Sequence, residues 1–500
     1  MLGARRLLFY GVVLCVQRGI CETRGVRPPP TRIAIIGAGI GGTSAAYFVR
    51  QKFGNNVPID VFEKGDVGGR LATVEIEGNE YEAGGAVIHP LNLHMKKFVE
   101  ELGLSARPPT SSLVGIYNGK EFVFEESSWF IINLIKMVWY HGLNFPRMYM
   151  WVEEMLDKFM RVYRYQTSDY SFTSVEAMLN ALGGNEFLQR LNKTVDETMQ
   201  QAGFSQKFID EMVTPVMRVN YGQGVQINGF VGAVSLAGTD SGLWAVNGGN
   251  KVVCTGLLYA SKANLIKGTV TSVEEKIRPL RTGEGSVHLY QVNYNTDSGE
   301  SYSQYDIIIV ATPLNSGMSG IRFPFSVPAV KNPYHQTVAT FVKGKINRSF
   351  FGCPEPCSLQ LTEILTMDDP NLFFSSIGVV TPVKVKTDQP LRDSANDPVW
   401  KVFSPEPLTE QQLGLLFTSH GAVKSKTWLA YPNYHPPERV PPVVLNERIY
   451  YISSIEIAAS AMEMSALSAK NVALLAHHQW YENTDKIDQE DLNEKIKSEL

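Results

Sequence analysis

Three glycines, Gly37, Gly39 and Gly42, stand in TRIAIIGAGIGGTSAAYF at the spacing that lets a chain close on a phosphate. In such a turn the first glycine bends tightly and the second lets main-chain N–H groups reach a pyrophosphate. The third allows a helix to pack against a strand. The helix start adds unpaired N–H groups and a positive partial charge. Glu63 offers a carboxylate to ribose hydroxyls, and its charge disfavours a 2′-phosphate. That chemistry needs a strand before the turn and a helix after it. IAII, Ile33 to Ile36, is short and apolar, as a buried parallel strand requires. TSAAYFVRQKF carries helical spacing and stops at Gly54, and IDVFEK, Ile59 to Lys64, reads as the second strand. A strand–turn–helix–strand unit with its acid in place predicts a bound dinucleotide.

The next residues separate FAD from NAD. VGGRLAT puts Gly68, Gly69 and Arg70 just after the ribose acid, and YEAGGAVIHP follows from Tyr81 to Pro90. Arg70 presents a forked guanidinium suited to a pyrophosphate; a surface ion pair is its plainer role. Gly84 and Gly85, continuing into Ala86 and Val87, let the main chain approach a flat ring. FAD is the predicted cofactor.

Along this series the chain resembles the FAD-dependent amine oxidase superfamily. Gly37, Gly39, Gly42, Glu63, Gly69, Arg70, Gly84 and Gly85 match its N-terminal pattern. WAVNGGNKVV, TVTSVEE and VATP match its middle elements. The resemblance implies that Val270 meets the adenine through its backbone. It also implies that Glu456 reaches the ribityl-phosphate side, with the start of the following helix near the isoalloxazine. The ending SSIEIAASAMEMSA departs from the commoner glycine-rich version. Longer stretches, among them VFEESSWFIIN, MWVEEMLDKFMRVYRYQ, PVMRVNYGQ and WLAYPNYHPPE, resemble the prenylcysteine oxidases. That likeness implies oxidation of farnesyl- or geranylgeranyl-cysteine by dioxygen and water, to cysteine, a prenyl aldehyde and hydrogen peroxide.

The expected fold is α/β: a Rossmann-like FAD-binding domain with an inserted α+β substrate domain of amine-oxidase type. The FAD-binding pieces are 32–110, 225–320 and 443–480, the substrate pieces 111–224 and 321–442, and a tail covers 481–500. YDIIIVATP and RIYYISS supply further buried strands. A prenyl chain demands a long apolar tunnel with a polar end; Trp129, Trp139, Trp151 and Tyr221 are candidate walls, and Arg218 a candidate for the amino-acid end. Lys343, in TVATFVKGK, falls where amine oxidases place a lysine that holds water near the flavin; a solvent-facing strand lysine is the alternative. His89 either faces the ring or serves the local chain. No metal cluster or Ser-His-Asp set stands out. Two rival functions are another flavin amine oxidase and a lipid carrier that keeps FAD without useful catalysis.

The chain's 500 residues carry a net charge of -4 with scattered Lys and Arg, which gives no argument for nucleic acid. Arg5 and Arg6 precede LLFYGVVLCV, which is too short to cross a bilayer and matches a signal peptide ending near residue 21. Sequons at Asn192 and Asn347 suit a secreted route. With the leader removed, CPEPC (Cys353 to Cys357) closes a small disulfide or holds two thiols, and Cys254 is left over. The prenylcysteine-oxidase resemblance implies lysosomal residence, with a membrane or lipoprotein surface as a further partner. The terminal KSEL reads either as an imperfect ER-retrieval signal or as a helix end. WFIINLIKMVWYHGLNFPRMYMWV, from Trp129, reads as a core-facing helix pair or as an interfacial helix resting on a membrane.

Overall fold

Ile33–Ile36 is buried along its whole length and pairs in parallel with Ile59–Glu63 on one side and Ile307–Val310 on the other. The computed structural model to which this strand belongs describes residues 27–107, 112–239, 242–279, 286–315, 317–327, 333–353, 359–384, 398–490 and 492. The leader, Cys357 and KSEL lie outside the described residues. Six strands form the first sheet, in the order Val444–Asn446, Ile449–Tyr451, Ile307–Val310, Ile33–Ile36, Ile59–Glu63, Asn264–Lys267. All pair in parallel except the first, which is antiparallel to Ile449–Tyr451. The four inner strands are buried and rich in Ile, Val and Tyr, whereas the edge strands Val444–Asn446 and Asn264–Lys267 are partly exposed.

One face is covered by the helices Ile40–Phe53, Lys251–Ala260 and Met462–Trp480. The other face packs Ala34, Ile36, Ile308 and Val310 against an antiparallel meander, Thr269–Pro279, Ser286–Thr296 and Gly299–Tyr305. The helical core runs on without a break into helices from 144 to 237, through Phe187, Phe208 and Phe230. A second sheet of seven strands has the order Phe417–Pro432, Tyr334–Ile346, Val399–Ser404, Ser376–Val379, Glu363–Thr366, Val114–Tyr117, Phe122–Glu125. Its pairs are antiparallel except Glu363–Thr366 with Val114–Tyr117. One face carries Val342, Trp400, Ile364 and Phe351. The opposite face, with Ala339, Phe341 and Trp428, meets the hairpin Thr73–Ile76 and Asn79–Glu82.

The 129–150 stretch is a helical pair, Phe130–His141 and Asn144–Phe159. A core-facing pair was one expectation, and the structure corrects it for the first helix. Trp129, Ile131, Ile135, Trp139 and Leu143 are exposed, and Met137 and His141 are its buried contacts. A helix apolar on every side has more greasy surface than one neighbouring core can cover.

Candidate active site

The helix Ile40–Phe53 begins at Gly39 with no side-chain cap and no acid in its first turn, so its leading N–H groups are left to a ligand. Gly37 has φ +108, and a Cβ there would stand 3.2 Å from the carbonyl carbon of Ala311, which follows the third strand in VATP. A Cβ on Gly42 would lie 1.8 Å from the Gly37 oxygen. Gly39 differs: a Cβ would meet only the Gly68 oxygen, at 3.7 Å, so the space before it is open. Tight glycines behind and open space in front are what a pyrophosphate cradle needs.

Glu63 is pinned at the end of its strand. Its Oε2 accepts from the Ala38 N–H at 2.8 Å and its Oε1 from the Gly65 N–H at 2.7 Å. Gly268 N–H donates to the Glu63 carbonyl at 2.9 Å, which brings Val270 to the same edge, buried opposite Tyr294 beside a bulge. Gly69 follows Gly68, whose N–H donates to the Ala38 oxygen at 2.9 Å, so the second loop is laced to the first turn.

Arg70 and Glu456, read from the sequence as serving two parts of FAD, are one bidentate pair. Nη1 donates to Oε2 and Nη2 to Oε1, each at 2.7 Å, and Nη1 also reaches the Ala430 oxygen at 2.9 Å. The Glu456 side chain is 2% exposed and that of Arg70 31%. Burial works against the guanidinium charge, but the Glu456 carboxylate more than offsets it and holds Arg70 above its ordinary value. Sequence reasoning missed the ring of partners: Tyr334 donates to Glu456 Oε2 at 3.1 Å and Tyr434 to the Glu456 oxygen at 3.0 Å. Tyr434 also accepts from the Ser460 N–H at 3.0 Å, and Tyr221 donates to the Ser460 oxygen at 3.0 Å.

Gly84 and Gly85 are squeezed from behind. A Cβ on Gly84 would lie 1.8 Å from the Arg70 oxygen and 2.8 Å from Trp428 Cη2; one on Gly85 would lie 2.8 Å from Leu71 and 3.5 Å from Met462. Met462 opens the helix Met462–Trp480, which also lacks a side-chain cap. Its early acid, Glu463, accepts from His94 N–H at 2.8 Å, Met95 N–H at 2.9 Å and the Tyr163 hydroxyl at 2.6 Å. Ala86 is half-buried and Val87 exposed. The uncapped turn, the open front of Gly39, the pinned ribose acid and the pinched glycine pair together fit FAD.

A further acid lies behind this loop. Glu82 is 5% exposed and accepts from the Asn250 N–H at 2.6 Å, while Asn250 Nδ2 donates to the Gly85 oxygen at 2.8 Å. Burial pushes its carboxyl up to about 7 despite Lys401, Arg107 and Lys251. The NGGN of WAVNGGNKVV was the available signal: its last residue is the link.

Neither residue proposed for the reacting face is brought to it by what the structure shows. His89 serves its own loop: its N–H donates to Asn92 Oδ1 at 2.8 Å and its Nδ1 accepts from Leu91 N–H at 3.1 Å. Lys343 ion-pairs with Glu77 at the hairpin tip. On its strand Thr337 is the residue paired with Trp428, the neighbour of Gly84. Lys343 lies six residues further along, about 20 Å at an ordinary strand rise. Of the expected tunnel walls, Trp129 and Trp139 are surface residues, whereas Tyr221 is buried and Trp151 packs against Phe204.

Asn192 and Asn347 donate to the Leu188 and Leu415 oxygens, at 3.1 and 2.9 Å. Cys353 is disulfide-bonded, and Cys254 is free, buried, and pushed up to about 12 by that burial. Among the described residues no group of His, Cys, Asp and Glu is placed to hold a metal ion, and no helix is long and apolar enough to cross a membrane.

The family model described as Prenylcysteine lyase matches residues 124–489, and that of the NAD(P)-binding Rossmann-like domain matches 35–102. A Bos taurus protein named Prenylcysteine oxidase 1 is 56% identical over 478 residues, covering 95% of this chain and 94% of its own. Its Homo sapiens namesake is 55% identical over 498 residues, covering 99% and 98%. Among solved structures, cyclohexylamine oxidase from Brevibacterium oxydans shares the fold at TM-score 0.56 and 14% identity, over 90% of this chain and 99% of that one.

Proposed function

The chain belongs to the prenylcysteine lyase family, and from that premise we infer that it is an FAD-dependent oxidase of S-prenylcysteine. The observation that carries this reading is full-length likeness to prenylcysteine oxidases joined to a turn whose Gly39 front is open for a pyrophosphate. Bound FAD supplies an acceptor for the hydride that leaves the carbon lying between sulfur and the alkene. The sulfur lone pair and the double bond share the resulting positive charge, water adds to that carbon, and the hemithioacetal collapses. One thioether, one dioxygen and one water thereby give cysteine, a prenyl aldehyde and hydrogen peroxide.

The chain's own residues bind and orient. The N–H groups after Gly39 take the pyrophosphate, Glu63 the ribose, and Gly84 and Gly85 the ring. The Arg70–Glu456 pair stiffens the floor beneath that loop, through the Arg70 carbonyl that abuts Gly84. Anaerobic mixing with S-farnesylcysteine tests the reading. Bleaching of the flavin band with release of farnesal, then peroxide on admitting air, is expected; an unbleached band despite measured binding refutes it.

The place of action is part of the same proposal: a lipid surface in the lysosome, reached through the secretory route, with glycans on Asn192 and Asn347. Among the described side chains between Trp129 and Met150, eleven large apolar ones are exposed, including two indoles. The same stretch holds Lys136 and Arg147 and no acid, in a chain of net charge -4. Aromatic and aliphatic side chains beside cations suit an anionic lipid interface, and the substrate itself is a lipid.

A further inference from the structure

We propose that a cleft between the helix Thr214–Tyr221 and the near end of the seven-stranded sheet holds the amino-acid end of the substrate; this rests on the prenylcysteine reading above. The cleft encloses 190 Å³ and is lined by Arg218, His335, Thr337, Asp368 and Asp369 among others.

Its charges suit a zwitterion. Arg218 Nε donates to Thr366 Oγ1 at 3.1 Å, Nη2 to the Phe374 oxygen at 3.3 Å and Nη1 to Asp368 Oδ1 at 3.0 Å. Those anchors leave two of its five N–H donors for a carboxylate. The Arg218 side chain is 13% exposed and that of Asp368 72%, so the cation is fixed in the wall and the acid stands at the mouth. One guanidinium and two carboxylates in so small a space match an ammonium and a carboxylate carried on one carbon. A ligand with a single charge would leave one side of the cleft unmatched. Thr337 adds a buried hydroxyl with no hydrogen-bond partner among the described residues.

Its position suits the reaction. Only Cβ and sulfur separate the α-carbon of prenylcysteine from the carbon to be oxidised, so the polar end must lie beside the flavin-facing loop. Thr337 pairs with Trp428, which touches Gly84. His335 pairs with Tyr431, whose ring lies 5.1 Å from that of Tyr221, the residue bonded to Ser460. Gly222 completes the wall with φ +62, and a Cβ there would come within 2.7 Å of His335 Nε2.

The test uses the full-length holoenzyme and anaerobic flavin bleaching with S-farnesylcysteine, its methyl ester and its N-acetyl derivative. Arg218→Gln is expected to raise the half-saturating concentration of farnesylcysteine on the order of 10- to 100-fold, the worth of a charged hydrogen bond. The limiting bleaching rate should survive, and the methyl ester should be little affected. Asp368→Asn with Asp369→Asn should weaken farnesylcysteine and spare the N-acetyl form; Asp368 is exposed and Asp369 half-buried, so the pair keeps the test alive if Arg218→Gln misfolds. Equal losses on charged and masked substrates, or none, overturn the clamp. Wild-type protein that binds farnesylcysteine in calorimetry without bleaching sinks the oxidase reading instead, and the same variants then judge the cleft by binding alone.

Discussion

Gly39 and Gly42 stand in one turn yet answer to different forces. An added Cβ at Gly42 would sit 1.8 Å from a main-chain oxygen, whereas at Gly39 it would make only an ordinary contact, 3.7 Å from the Gly68 oxygen. Gly42→Ala should therefore lower thermal stability and flavin content together, while Gly39→Ala should fold normally and lose flavin, read as circular-dichroism melting against the flavin-to-protein absorbance ratio. Glu82 makes a second residue-scale prediction. Its carboxyl titrates at about 7 when folded against 4.5 ordinarily. Between those values the folded chain keeps a proton that the unfolded chain has released, so stability falls as pH rises, by about 3 kcal/mol in all. His94 opposes it: burial pulls its ring down from 6.5 to about 4, and stability is lost as pH falls through that range. Other buried groups, Glu463 and His478 among them, also shape the parent's own profile, so the difference decides: Glu82→Gln should gain on the parent as pH is raised from about 5 to about 8. Parallel denaturation midpoints for the two proteins would refute it. A third concerns Arg70: Arg70→Ala leaves the Glu456 carboxylate buried without its counter-charge, held by Tyr334 but by no cation, and should cost about 3–5 kcal/mol even before cofactor is added.

At the scale of elements, what could be read from the chain was what is local. The first strand, its turn and its helix declare themselves because glycine positions, apolar runs and the terminal Glu63 all act within one short unit. The Arg70–Glu456 pair was illegible because its partners are 386 residues apart and neither stands in a pairing motif. The surroundings of Lys343 were illegible for a different reason. Which residue of the strand Tyr334–Ile346 faces the flavin loop depends on its register with Trp428, and that register is a tertiary fact. The stretch from Trp129 was legible as apolar but left a core-facing and an interfacial reading both open, since periodicity cannot say whether a neighbour covers it. If it meets lipid, Trp129→Ser with Trp139→Ser should cut cosedimentation with anionic vesicles at least tenfold, since burying one such ring is worth roughly 2–3 kcal/mol. Flavin content should stay unchanged, and unaltered cosedimentation would reject the docking face.

Across the whole molecule, the cofactor site is shared among stretches that meet only in the folded state. The turn at Gly37 presses on Ala311, Gly84 on Trp428, and Gly85 on Met462. A ligand spanning all of them stabilises the complete fold by mass action, about 2.7 kcal/mol at a hundredfold excess over its dissociation constant. Deflavination should lower the melting temperature, and added FAD should restore it. The same topology sets an order for biosynthesis. The phosphate turn leaves the ribosome long before the strand Ile449–Tyr451, two places along in the same sheet, and before the helix Met462–Trp480. A nascent chain therefore waits, half-walled, until that strand and helix have emerged before it can grip its pigment. A stop codon placed just ahead of residue 449 should yield colourless protein that the cell's quality control destroys, however intact its opening glycines.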